Sequence, residues 1–193
     1  MNKLILLLSI LFSTSMFAQG DVNQKDAEGK KHGQWIVKYK SGKVKHETTF
    51  IHGTPTGKSV RYSPKGKVTS EMFLSNNGNV ARGKLFHNNG KVMANGKYVS
   101  KKKDSTWNFY ALSGKIIRVE NLLNGVLNGQ VTEYYENGNI KSKTTYTKGT
   151  AQGLQEAFFA NGNIRSSKKV VDGNIQGSFK LYYDNKVYRI IGH

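Results

Sequence analysis

The sequence contains no cysteine and only two prolines among its 193 residues. Without cysteine the chain has no disulfide framework, no thiolate nucleophile and no Cys-ligated zinc or iron–sulfur site. Acidic residues are also scarce: 12 Asp and Glu stand against 30 Lys and Arg, which gives a formal net charge of +18. This charge predicts an affinity for polyanions but does not indicate a fold.

The N-terminus has the three-part pattern of a secretory signal. Lys3 supplies a positive start, residues 4–12 form an apolar run, and residues 13–18 provide a cleavage segment. The apolar stretch that ends at Ala18 has 15 residues, whereas a membrane-spanning helix needs about 20. We therefore expect cleavage after Ala18, a linker over residues 19–28, and no membrane span in the mature chain. The protein is expected in the periplasm, the cell envelope or the medium.

Glycine recurs through the rest of the chain with a period of 24 residues. One column lies in the expected hairpin turns: Gly42, Gly66, Gly90, Gly114, Gly138 and Gly162. Two more columns are Gly29, Gly53, Gly125, Gly149 and Gly173, and Gly33, Gly57, Gly129, Gly153 and Gly177. In the third and fourth units the first of these two columns has Asn77 and Lys101, and the second has Ala81 and Ser105. The pattern predicts a repeat domain over residues 29–193, with units beginning near 29, 53, 77, 101, 125, 149 and 173.

Each unit has the composition of a β-hairpin. In the fifth unit, two segments rich in β-branched and aromatic residues flank Asn137-Gly138. Asn-Gly favours a two-residue type I′ turn, which would pair Tyr135 with Ile140, and the Gly-x-x-x-Gly segments would link successive hairpins. Since one 24-residue unit cannot close a core alone, we predict an all-β fold: an elongated single-layer antiparallel meander of about seven hairpins.

Two units carry a recognisable motif, at residues 125–141 and 149–165. Each reads Gly-x-x-x-Gly, then two adjacent aromatic residues, x, Asn-Gly, x, Ile and a Lys or Arg. The motif resembles the MORN-type repeat, and more closely the variant found in bacterial YwqK-like proteins, which are grouped as antitoxins. The resemblance extends over about residues 29–187. It implies an elongated single-layer sheet that serves as an interaction or membrane-proximal module and has no catalytic residues.

Two-residue turns would sort the side chains of each hairpin onto two unlike faces. One face would carry the β-branched residues that follow the turns, the residues six positions later, and both tryptophans. These are Val44, Val68, Val92, Ile116, Ile140 and Ile164; Phe50, Leu74, Tyr98, Leu122, Tyr146 and Val170; and Trp35 and Trp107. We expect this face to be the packing face, although a three-residue loop would swap the assignments.

The opposite face would carry one aromatic residue per unit, with Lys38 instead in the first unit, beside cationic neighbours. We predict that this face binds ligands. The candidate residues are Tyr62, Phe86, Tyr110, Tyr134, Phe158 and Tyr182, with Lys141 and Arg165. This stripe suits sugar rings, single-stranded nucleic acid, or an anionic lipid interface helped by turn lysines at 43, 67, 91 and 115. Alternatively, the aromatic–lysine pairs only stabilise an exposed sheet, by about 0.2–1 kcal/mol each. Expected export makes nucleic acid the least favoured ligand.

Motifs for catalysis or metal binding do not emerge from the sequence. Residues 53–59 resemble a phosphate-binding loop but have three residues, not four, between the glycines. The five histidines lie in different repeat columns, without a metal-binding spacing: His32, His46, His52, His87 and His193. We therefore expect no enzyme, no metal and no other cofactor.

These features together favour an exported, non-catalytic repeat scaffold. It would bind a protein partner or an anionic surface of lipid or lipopolysaccharide. The alternative is a YwqK-like antitoxin or immunity protein that neutralises a cognate toxin by direct binding. The sequence leaves open the partner and the oligomeric state.

Overall fold

The computed structural model describes residues 21–184 and 188–191. The predicted signal segment, residues 1–18, lies outside the described residues. Within the described ranges the chain has no helix and forms one sheet of 17 strands, which confirms the predicted all-β class. The first nine strands are β1 (Gln24–Lys25), β2 (Lys31–Lys38), β3 (Val44–Ile51), β4 (Thr54–Tyr62), β5 (Val68–Ser75), β6 (Val80–Phe86), β7 (Val92–Val99), β8 (Lys102–Tyr110) and β9 (Ile116–Leu123). The remaining strands are β10 (Val126–Leu127), β11 (Gly129–Tyr134), β12 (Ile140–Thr147), β13 (Thr150–Phe158), β14 (Ile164–Val171), β15 (Asn174–Ile175), β16 (Phe179–Tyr182) and β17 (Tyr188–Ile191).

Strands that follow one another in the chain also pair with one another, and every pair is antiparallel. Where a strand is interrupted, its two pieces share a neighbour: β9 pairs with β10 and β11, and β14 pairs with β15 and β16. The predicted antiparallel meander of hairpins is confirmed. In the segment expected to be a linker, Gln24–Lys25 pair with the start of β2.

The Asn-Gly turns differ from the two-residue turns predicted for them. The Tyr135 N–H donates to the Asn139 carbonyl at 2.8 Å, and the Gly138 N–H donates to the Tyr135 carbonyl at 2.9 Å. This is a three-residue loop in which Gly138 takes the left-handed conformation, with φ of 91°. The type I′ prediction was wrong because the loop requires a left-handed conformation only at the glycine, and Asn137 does not adopt a positive φ. Only the three-residue loop places Tyr134 opposite Ile140.

Two-residue turns occur instead at the opposite edge of the sheet, in the Gly-x-x-x-Gly segments. Lys148 and Gly149 have φ of 50° and 83° and join Thr147 directly to Thr150, as a type I′ turn requires. Lys101, which replaces glycine at the equivalent position of the fourth unit, keeps a φ of 66°. The glycine column therefore marks a backbone conformation that other residues adopt at a cost.

The three-residue loop changes the assignment of side chains to faces. Tyr134 pairs with Ile140 and Glu133 pairs with Ser142, so Lys141 is the extra residue of a β-bulge. Cross-strand partners share a face, so the β-branched residues that follow the turns lie beside the aromatic stripe. The prediction that the column from Val44 to Ile164 belongs to the packing face was wrong.

We call the face that carries the stripe the aromatic face, and the other the packing face. The cross-strand pairs put the second predicted column on the packing face together with both tryptophans: Phe50, Leu74, Tyr98, Leu122, Tyr146, Val170, Trp35 and Trp107. Most of the buried side chains lie on this face. That part of the prediction is confirmed.

The most buried cluster surrounds Trp107 on the packing face. The Trp107 side chain is 0% exposed, Ala94 is 1% exposed and Leu122 is 8% exposed. The indole N–H donates to the Lys97 carbonyl at 2.9 Å. The ring lies against Gly96, where a Cβ atom would come within 2.4 Å of it. A small residue in one strand thus lets a large ring pack flat on the sheet.

Polar side chains at the turn edge join each repeat to the next. The Tyr39 hydroxyl donates to the Tyr62 carbonyl at 2.7 Å, and the Tyr135 hydroxyl donates to the Phe158 carbonyl at 2.8 Å. Three of the turn lysines donate to carbonyls of the following turn: Lys67 at 2.6 Å, Lys91 at 2.9 Å and Lys115 at 2.6 Å. These ammonium groups, expected to attract an anionic surface, are engaged in the sheet itself.

Candidate binding face

The aromatic face presents one ring in each repeat after the first, which has Lys38 at this position. Five of these rings lie opposite a β-branched residue. The cross-strand pairs are Tyr62 with Val68, Phe86 with Val92, Tyr110 with Ile116, Tyr134 with Ile140, and Phe158 with Ile164. All ten side chains are half-buried. Tyr182 continues the column in β16 and is also half-buried. The row therefore forms a periodic apolar surface on which part of each ring is accessible.

Lys141 and Arg165, the two cations predicted to flank the rings, are bulge residues. Each is skipped by the cross-strand pairing, and both are exposed. The ammonium group near the Phe158 ring belongs instead to Lys143, whose Nζ lies 5.7 Å from the ring centroid. This lysine is in the regular register of β12, opposite Glu156. The cation beside the stripe thus comes from mid-strand rather than from the turn.

Charges of both signs alternate on the aromatic face. Lys58 Nζ lies 2.8 Å from the Glu71 carboxylate, and Lys97 Nζ lies 3.1 Å from the Asp104 carboxylate. Hydrogen bonds from Ser105 and Lys97 hold the pKa of Asp104 below its usual value, so this carboxylate is ionised at neutral pH. The face is therefore patterned in charge, not uniformly cationic.

Exposed apolar side chains are the second feature of this face. Phe73 is 64% exposed, Leu154 is 55% exposed and Leu123 is 54% exposed. Phe73 lies between two cations, since it is the cross-strand partner of Lys58 on one side and of Arg82 on the other. An exposed ring beside cations is typical of surfaces that contact other proteins.

A histidine and two hydroxyl groups form a compact polar network on the packing face. His46 Nε2 lies 2.9 Å from Ser59 Oγ and 2.6 Å from Thr48 Oγ1. Thr48 Oγ1 also lies 2.8 Å from Ser59 Oγ and 2.7 Å from the Glu47 carbonyl oxygen. All three side chains therefore contact one another, which suits a structural network on the sheet.

The pKa of His46 lies below the ordinary value for histidine. Burial is the main cause, and the positive charges of Arg61 and Lys31 add to it. The imidazole is therefore neutral at neutral pH, which agrees with a structural role in the network with Thr48 and Ser59.

The structure also brings together three residues that the sequence pattern did not connect. Asp26, His32 and His52 place one ligand atom each within 4.8 Å of the others. His52 Nδ1 lies 2.9 Å from Asp26 Oδ2. Desolvation raises the pKa of Asp26, but hydrogen bonds from the Lys30 N–H and His52 outweigh it and hold that pKa below its usual value. Sequence spacing missed the cluster because its members come from a short N-terminal turn, β2 and the turn after β3.

Comparison with known families supports the repeat assignment. The MORN repeat variant family matches residues 31–52 and 127–148. The two matches start 96 residues apart, which is four periods of 24 residues. They support a repeat scaffold or a binding role, and the MORN repeat family is generally non-catalytic. A comparison with curated proteins gives no match. Over the described ranges, no helix has the length and apolarity to cross a membrane.

Proposed function

We propose that this protein is an exported, non-catalytic scaffold that binds a protein partner along its aromatic face. The observation that carries the proposal is the row of half-buried rings, one in each repeat from the second onward, on the face that also exposes Phe73 and Leu154. Interfaces between proteins are enriched in aromatic residues and arginine at their centres. A periodic row of such contacts suits an extended partner better than a small ligand.

The charge pattern favours a protein over an anionic membrane surface. Glu47, Glu71 and Glu156 lie among the lysines of the aromatic face, as their cross-strand pairs show. An anionic bilayer would repel these carboxylates, whereas a protein can present charges of opposite sign at each position. The turn lysines that would have reached a bilayer donate to neighbouring carbonyls.

The non-catalytic part of the proposal is supported by the family match. His46 and Ser59 also both contact Thr48, so they belong to a network of three side chains. The matched family is generally non-catalytic.

Neutralising a toxin would be a special case of the same binding activity. An antitoxin or immunity protein has one dedicated partner and inhibits it, whereas a general scaffold holds its partner without inhibition. The identity of the bound protein separates these two roles.

Photo-crosslinking from single positions tests the proposal. Benzoylphenylalanine replaces Phe73 or Leu154 on the aromatic face, and Val37 or Ile175 on the packing face, in the protein's native cells. The control positions are 46% and 54% exposed, against 64% and 55% for the test positions. We expect an adduct with the same protein from both aromatic-face positions and none from the controls.

Two results would contradict the proposal. Equal adducts from both faces would show that the aromatic face is not selective. Absence of protein adducts, together with co-sedimentation of the protein with phosphatidylglycerol vesicles or lipopolysaccharide, would favour an anionic envelope surface instead.

Tyr134→Ala with Phe158→Ala should reduce the adduct while lowering thermal stability less than Leu122→Ala does. Removing the buried Leu122 side chain costs about 2–5 kcal/mol.

A further inference from the structure

The N-terminal end of the sheet carries a cluster of metal-binding side chains. We propose that Asp26, His32 and His52 bind one divalent transition-metal ion, with Zn²⁺ the best match among common ions. The proposal is independent of partner binding because it uses none of the residues of the aromatic row.

The spacing of the ligand atoms is close to that of a metal site. Asp26 Oδ2 and His52 Nδ1 are 2.9 Å apart, and the ligand atoms of all three residues lie within 4.8 Å of one another. In a tetrahedral zinc site with bonds of 2.0–2.1 Å, ligand atoms are about 3.3 Å apart. Both histidines are exposed at the surface, so small rotations of their rings bring all three atoms to this distance.

The carboxylate is the fixed member of the cluster. The Asp26 side chain is 9% exposed, and its Oδ1 accepts the Lys30 N–H at 2.8 Å. That bond leaves Oδ2 directed at His52. A ligand whose second oxygen is held by the backbone keeps its orientation before an ion arrives, as outer-shell hydrogen bonds do in known metal sites.

Backbone contacts hold the two histidines next to this carboxylate. His32 pairs with Gln24 of β1, in the same N-terminal segment as Asp26. His52 opens the turn between β3 and β4, and the following Gly53 N–H donates to the Lys31 carbonyl at 2.8 Å. Residues 20 positions apart thus meet because β2 and β3 pair as one hairpin, with Gly33 opposite Phe50.

The donor set selects the class of metal. Two imidazole nitrogens and one carboxylate oxygen suit zinc, copper or nickel, whereas calcium and magnesium prefer oxygen ligands alone. Glu28 Oε2 lies 3.9 Å from His52 Nδ1 and can supply a fourth ligand. An ion bound here would join the N-terminal segment to the first repeat and secure the edge of the sheet.

Calorimetric titration of the tag-free protein with ZnCl₂ tests the site. We expect one zinc per chain, and each of the variants His32→Ala, His52→Ala and Asp26→Asn should weaken binding by at least about tenfold. Asp26→Asn keeps an oxygen that can accept the Lys30 N–H, so it removes the charge and leaves the turn intact. His87→Ala is the matched control, because His87 Nε2 contacts the Tyr110 carbonyl at 2.9 Å, outside the cluster. It should bind zinc as the unaltered protein does.

Thermal unfolding gives a second readout that does not depend on heats of binding. Zinc should raise the melting temperature of the unaltered protein and of His87→Ala but not of His52→Ala, because a ligand stabilises the state that binds it. Magnesium at the same concentration should have no effect. Failure of the unaltered protein to bind zinc, or full affinity in any of the three ligand variants, would overturn the proposal.

Discussion

At the scale of single residues, Trp107 and Gly96 show how one layer of sheet obtains a core. The Trp107 side chain has no exposed surface, and it packs where Gly96 leaves the backbone bare. Neighbours on the same face supply the rest of its cover: Leu85, Ala94, Tyr98, Phe109, Leu122 and Leu127. A second layer is therefore not needed to bury a large ring.

Gly96→Ala should destabilise the protein through this contact. A Cβ atom at residue 96 would lie 2.4 Å from Cδ2 of Trp107, and overpacking of this kind costs about 1–3 kcal/mol. Denaturant unfolding of Gly96→Ala, Trp107→Leu and the double variant measures the coupling. The smaller side chain relieves the clash, so the double variant should cost less than the sum of the single ones. Additive losses would show that the ring does not lie on Gly96.

His46 should make stability depend on pH. Its pKa is lowered in the folded state, chiefly by burial, so the unfolded chain takes up a proton at a higher pH than the folded chain does. Stability should therefore fall as the pH drops below about 6.5, the ordinary pKa of histidine, and this loss should be complete once the pH is below the folded-state pKa. Denaturant unfolding from about pH 7.5 to about pH 5 should show a smaller loss in His46→Gln than in the unaltered protein. Equal slopes would contradict the prediction.

At the scale of elements, the two kinds of turn explain what sequence patterns can and cannot predict. The period of 24 residues predicted the hairpins, their number and the column from Phe50 to Val170 correctly, because glycine and β-branched positions repeat without insertion. Loop length was not predictable from Asn-Gly, since a single left-handed glycine also closes a three-residue loop. One residue of loop length moved Ile140 to the other face.

The candidate sites show the same division between local pattern and spatial arrangement. The aromatic residues of the stripe were predictable as a column, and the structure places them on one face. The cluster of Asp26, His32 and His52 was not predictable, because it depends on how β1 folds back onto β2 and on the pairing of β2 with β3. Asp26 also lies in the segment expected to be a linker.

A turn in the fourth repeat offers a test of the repeat's backbone requirement. Lys101 has φ of 66°, a left-handed conformation that glycine adopts without strain. Lys101→Gly should raise the free energy of unfolding by about 0.5–1 kcal/mol. The folded state loses its backbone strain, and the greater conformational entropy of glycine in the unfolded chain offsets part of that gain. The matched control is Lys102→Gly, in the extended backbone of β8, which should lower stability by a similar amount. A loss of stability in Lys101→Gly would contradict a type I′ turn at this position.

At the scale of the whole molecule, the sheet divides into a buried packing face and the aromatic face, which we propose as the binding face. The packing face holds the buried cluster around Trp107, whereas the aromatic face exposes Phe73, Leu123 and Leu154. Hydrogen bonds between repeats run along the turn edge, as in the Tyr39 to Tyr62 contact. Stability in such a sheet is shared between neighbouring repeats, so the exposed face is free to vary without loss of the fold.

Thiol labelling tests this division most directly, because the chain has no cysteine of its own. Single-cysteine variants place a thiol at Phe73 or Leu154 on the aromatic face, and at Val131 or Val170 on the packing face. The first two residues are 64% and 55% exposed and the second two are 4% and 2% exposed. Under native conditions the aromatic-face thiols should react at nearly the rate of the unfolded chain, and the packing-face thiols at least about a hundredfold more slowly. Equal rates on the two faces, or faster labelling at Val131 and Val170, would contradict the assignment of faces.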